Sequence, residues 1–150
     1  MKLQPIQAHN QFIGYIGETE AVRKLRSNGH TILRRNYRNR FGEIDIISFD
    51  QDKTLCFHEV KTIIVNEKIK KTGEEEKDER EGEGSFQDYR AEDNLSRKKI
   101  GCMMRATGVY LASFPVDDPY WEAHAIIVHL KKNLECISTE MIPHINIEVS

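Results

Sequence analysis

The sequence predicts a mixed α/β domain in the order αβββαββ, with helices packed against a mixed central sheet. Three observations point there. A helix-period apolar stripe lies near the N-terminus. Two alternating segments joined by a short turn follow it. A second helical stripe then precedes two further strand-like segments. From about Asn10 to Ser27, the residues Phe12, Tyr15, Ile16, Val22 and Leu25 form one stripe at roughly 100° per residue, and Asn28 with Gly29 supplies the stop. Glu18 falls within that stripe, so the helix is expected to aim a carboxylate inward. His30 to Arg38 is expected as a strand, then Glu43 to Phe49 and Thr54 to Val65 as a hairpin turning around Asp50 to Lys53. Asn94 or Ser96 is positioned to cap a helix reaching Ala112. WEAHAIIVHL and NLECIST complete the sheet, and INIEV forms a short alternating tail.

With 150 residues at 39% hydrophobic content, the chain has the length of one domain with one core. No apolar run approaches the roughly 18 residues that span a bilayer, and MKLQPIQAHN lacks the layout of a signal peptide. A soluble, cytoplasmic protein with no membrane partner is expected. Cys56, Cys102 and Cys136 are odd in number and widely spaced, which suggests neither a disulfide framework nor a thiolate zinc site. The net charge of −2 conceals an asymmetry. Residues 1–65 carry ten basic against seven acidic groups, residues 66–93 six against eleven, and residues 94–150 six against six. The acidic stretch at about 66–93 has the composition of a mobile insert.

The hairpin carries the chemistry. Alternation places Glu43, Asp45, Ile47 and Phe49 on one face, and Leu55, Phe57, Glu59, Lys61 and Ile63 on the matching face of the next strand. A solvated strand face would not need Ile47, Phe49, Leu55 and Phe57. Asp45 is then opposite or diagonal to Glu59, with Cβ atoms about 5 to 7 Å apart. Two unpaired carboxylates so placed are costly, and a shared proton, a salt bridge to Lys61 or a bound metal would each relieve them. An all-oxygen donor set suits Mg²⁺ or Mn²⁺, with Glu18 available as a further ligand and Lys61 beside a metal-bound water. Metal-assisted phosphodiester hydrolysis is the chemistry implied.

These residues resemble the PD-(D/E)XK nuclease superfamily, whose sheet carries an acid, a turn, then (D/E)-x-Lys: here Asp45, then Glu59-Val60-Lys61. More narrowly, the chain resembles the YraN-type family of small predicted endonucleases. The blocks that carry the likeness are Gly17-Glu18-Thr19-Glu20-Ala21, Ile32 to Arg38 (ILRRNYR), Gly42 to Ile47 (GEIDII) and Glu59-Val60-Lys61-Thr62. The resemblance implies a restriction endonuclease-like αβββαβ core. It implies Asp45 and Glu59 as metal ligands, the Val60 carbonyl as a backbone ligand, Glu18 as an accessory acid and Lys61 as the catalytic lysine. His58 stands where the family has an aliphatic residue, and the acidic insert is long for it.

RRNYRNR gathers Arg34, Arg35, Arg38 and Arg40 around Tyr37, a set suited to phosphate oxygens and an unpaired base. Lys98 and Lys99 open the second helix, where a bound phosphate would reconcile their charge with the helix dipole. A nucleic acid partner is expected, DNA ahead of RNA, together with a homodimer by analogy with junction-cutting nucleases. A catalytically inactive binding module on the same fold is the alternative. His124, His129 and Cys56 are expected as ordinary core or surface residues.

Overall fold

The computed structural model describes residues 5–66 and 97–145. Its elements follow the expected order: α1 (Pro5–Ser27), β1 (Thr31–Asn39), β2 (Gly42–Phe49), β3 (Leu55–Val65), α2 (Arg97–Ala112), β4 (Trp121–Lys131) and β5 (Cys136–Ile142). The strands form one sheet in the order β1-β2-β3-β4-β5. Neighbours are antiparallel except β3 and β4, which run parallel from Leu55↔Trp121 to Val65↔Lys131. This mixed α/β architecture, a five-stranded sheet flanked by helices, is compatible with the restriction endonuclease-like fold. The acidic stretch past Asn66, the cap positions Asn94 and Ser96, and most of the INIEV tail lie outside the described residues.

Each face of the sheet is covered by one helix. Ala21, Val22 and Leu25 of α1 bury against Ile46, Val60, Ile126, Val128 and Leu130. On the opposite face Met103 and Ala106 of α2 bury against Ile44, Ile47, Leu55, Phe57 and Ala123. Burial of these side chains contributes on the order of 1.5 to 3 kcal/mol for each large aliphatic one.

The stripe expected on α1 is out of phase at its N-terminal half: Phe12 and Tyr15 are more than half exposed. The packed face runs through Gly17, Ala21 and Leu25 instead, at four-residue spacing, and the small Gly17 and Ala21 bring the helix close to the sheet. A Cβ on Gly17 would lie 1.8 Å from Thr62 Oγ1. Gly42 is equally confined, where an added Cβ would meet the Cys102 backbone of α2 at 2.8 Å. The helix end is fixed by a Schellman turn, with Gly29 at φ 84°, its amide bonded to Arg26 O and the His30 amide to Leu25 O.

Strict alternation along β2 also fails. Ile44 and Ile47 share the α2-side core while Ile46 lies in the α1-side core. On the neighbouring strand Asn36 has φ 51°, and the β1–β2 register shifts between Ile32 and Arg34. Asn36, between the pairs Arg35↔Ile46 and Tyr37↔Ile44, lies opposite Asp45, whereas the register shift falls farther along β2, opposite Ile47 and Ser48.

Candidate active site

The β2–β3 ladder runs from Phe49↔Leu55 only as far as Ile46↔His58. Beyond it the strands part, and the Asp45 side chain substitutes for the missing backbone partner: the Val60 amide donates to Asp45 Oδ2 at 2.7 Å. Such a charged hydrogen bond contributes about 1.5 to 3 kcal/mol. The parting opens a cleft of about 430 Å³ lined by Asn10, Ile13, Gly14 and Glu18 of α1, Glu43 and Asp45 of β2, Val60, Lys61 and Thr62 of β3, and Lys99 of α2. Glu18, Asp45, Val60 and Lys61 therefore converge on one space, as the sequence suggests.

Glu59 is fully buried, and Asp45 is 5% exposed. The Lys99 ammonium reaches in from α2 to pair with Glu59 Oε1, while Glu59 Oε2 has no hydrogen-bond partner among the described residues. Burial, reinforced by the Asp45 charge, pushes the Glu59 carboxyl up to about 7. Burial likewise raises Asp45 against the pull of the Val60 amide and of Lys99. Glu18 is raised by its own burial and by Asp45, although Asn36 Nδ2 donates to its Oε2 at 3.1 Å and Arg35 lies 3.8 Å away. Negative charge thus exceeds what the neighbouring cations neutralise.

The donor chemistry fits a hard divalent cation. Carboxylates from α1 and β2 line the cleft, and Glu59 lies buried beside Asp45 and does not line it. One Glu59 oxygen has no hydrogen-bond partner, and among the described residues no softer ligand lines the cleft. Two groups were not singled out from the sequence as part of this centre. Glu43 lines the cleft and raises the neighbouring acids, a position its alternation with Asp45 already signalled. Lys99, expected to hold a phosphate, forms an ion pair within the site; nothing in the local sequence encodes that distance.

The arginine run does not act as one patch. Arg35 turns to Glu18 and lies 5.5 Å from the Tyr15 ring, whereas Arg34 influences Tyr110 on the α2 side. Arg38 pairs with Glu43 at 3.0 Å on the cleft rim, and Arg40 covers Phe41. Lys98 is exposed one residue before Lys99.

A mixed α/β protein with an acid-lined, lysine-flanked cleft at a sheet split is the class these features define. The chain belongs to the uncharacterised protein family UPF0102, whose model matches residues 17–128 and so spans Glu18, Asp45, Glu59, Lys61 and Lys99. It is similar to a UPF0102 protein of Chlorobium phaeobacteroides, 35% identical over 119 residues and 78% of each chain. A Chlorobaculum tepidum UPF0102 protein is 36% identical over 110 residues, covering 73% of this chain and 67% of its own. A Treponema pallidum relative is 49% identical over 55 residues, which span 37% of this chain and 43% of the relative.

Proposed function

We propose that this protein is a metal-dependent nuclease that hydrolyses phosphodiester bonds of DNA, with branched or flapped DNA favoured over plain duplex and residues 1–150 acting as a single catalytic domain. One observation carries this reading: where the β2–β3 ladder ends, Asp45 lines one cleft with Glu18 and Lys61, and Glu59, buried with an unpaired carboxylate oxygen, lies directly behind Asp45. Asp45, Glu59, Glu18 and the Val60 carbonyl would hold Mg²⁺ or Mn²⁺, which when bound supplies positive charge to the scissile phosphate and a more acidic water. Lys61 supplies a cation at the wall of the cleft, where it stabilises charge developing on the phosphoryl oxygens and orients the attacking water. Lys99 holds the Glu59 carboxylate in place and keeps it available as an anion. Arg38 and Lys98 lie beside the cleft, where phosphates flanking the scissile bond would be held.

A second reading has one observation in its favour. The Lys99 ammonium already supplies Glu59 with a cation, an arrangement that a binding module without turnover would also tolerate. Labelled duplex, single-stranded, flap and four-way junction DNA, incubated with Mn²⁺ or chelator, separate the two. The nuclease predicts Mn²⁺-dependent cleavage, strongest on a branched substrate, and abolished by Asp45→Asn and by Lys61→Ala. Binding without cleavage on every substrate, unaffected by metal and by Asp45→Asn, would replace the enzyme with the module.

A further inference from the structure

A second cluster lies away from the acidic cleft, beneath the C-terminal end of α1. His30, Cys56 and His58 each bring a ligand atom within 4.8 Å of the others. The Schellman turn that ends α1 fixes His30, and β3 fixes the other two. Ser48 of β2 lies between the imidazoles, its Oγ 3.0 Å from His30 Nδ1 and 2.8 Å from His58 Nε2. The His58 ring stacks on His124 at 5.4 Å between centroids.

One hydroxyl has one proton, so Ser48 donates to one imidazole and accepts from the other. Whichever way it turns, His58 keeps an unsatisfied nitrogen. Its Nδ1 is fully buried and has no hydrogen-bond partner among the described residues. An orphaned buried group of this kind costs about 1 to 3 kcal/mol and calls for an occupant. We propose that His30, Cys56 and His58 form a binding site for a zinc-class divalent cation, distinct from the hard-cation cleft, that ties the end of α1 to β3. The donor set is nitrogen and sulfur, which selects zinc over magnesium. Tetrahedral bonds of about 2.0 to 2.3 Å place ligand atoms roughly 3.3 to 3.7 Å apart, so a bound ion would draw these atoms, within 4.8 Å of one another, together by up to about 1.5 Å. Binding replaces the Cys56 S–H bond by a metal–thiolate bond, and the proton passes to solvent. Ser48 then holds the imidazoles in orientation, as an outer-shell partner does. Water completes the fourth position from the side of His30, which is only partly buried.

Co²⁺ serves as a spectroscopic stand-in for Zn²⁺. A thiolate-to-cobalt charge-transfer band is expected on adding one equivalent to the purified full-length chain, unchanged in Asp45→Asn and in Cys102→Ser and Cys136→Ser, and absent in Cys56→Ser. His30→Gln, altered at the cluster's exposed edge, retains the fold and should bind Zn²⁺ at least tenfold more weakly by calorimetry, about 1.4 kcal/mol. A wild-type chain without the band, a band that survives Cys56→Ser, or unchanged affinity in His30→Gln would each overturn the site.

Discussion

At Glu59, burial and the neighbouring Asp45 charge raise the carboxyl from its ordinary 4.5 to about 7, and the consequence for stability has a definite sign. The folded chain retains a proton that the unfolded chain gives up near 4.5, so the stabilisation is fully present below about 4.5 and is lost as pH rises through about 7. In chelator, the contribution of this group to stability should fall across that window by about 3 kcal/mol, from a shift of this size. Glu59→Gln mimics the protonated carboxyl. It should melt at or above the wild-type temperature at pH 8 while losing cleavage, a gain in stability paired with a loss of function. Thermal scans of both proteins in chelator at pH 4.5 and pH 8 check this, because the imidazoles of His30, His58 and His124, whose pKa burial lowers, pull the other way and cancel in the comparison; an advantage of Glu59→Gln that does not grow from pH 4.5 to pH 8 would refute the charge excess. Lys61→Ala should leave the unfolding free energy within about 0.5 kcal/mol of wild type, because Lys61 is only partly buried, while cleavage falls roughly 100- to 1,000-fold.

The elements bring these residues together through two close approaches. Gly17→Ala would force Thr62 and α1 apart, costing about 1 to 3 kcal/mol and moving the adjacent Glu18 off the cleft. Gly14→Ala, three residues earlier with nothing within 4 Å of its Cβ, should stabilise the helix by about 0.5 to 1 kcal/mol. Denaturant titration of the two variants measures the contrast, and equal effects would show that the helix does not bear on Thr62. The hairpin and the end of α1 were legible in the sequence because turn residues and Gly29 punctuate them, whereas α1 begins at Pro5, ahead of the expected Asn10, where no cap residue marks its start. The phase of α1 was not: bulky Phe12 and Tyr15 suggested one face, but small residues at Gly17 and Ala21 decide which side can approach a sheet. Likewise, alternation predicted that Asp45 and Glu59 meet, and they do. It could not foresee that the left-handed Asn36 and the early end of the β2–β3 ladder would turn Ile44 to the α2 side and give Asp45 the Val60 amide.

Across the whole molecule, charge is distributed by the sheet and not by the linear run of residues. Arg34 and Arg35 are adjacent in sequence yet belong to opposite faces, so only part of the arginine series remains free to meet a polyanion. Arg34→Ala with Arg38→Ala should lower the salt slope of duplex DNA binding by about 2. Arg35→Ala should instead act through Glu18, changing cleavage more than the slope. An unchanged slope in the double variant would move the DNA to another surface. The His30–Cys56–His58 cluster was invisible in sequence for the same reason, since its members come from a helix end and a strand that only folding brings together. Underlying the whole functional account is the claim that Asp45, Glu59 and Glu18 bind one hard divalent cation. Calorimetric titration of Mn²⁺ into the full chain at pH 8 tests it most directly. One site per chain, lost in Asp45→Asn and kept in Cys56→Ser, is the predicted result; Mn²⁺ binding unaltered by Asp45→Asn would contradict it.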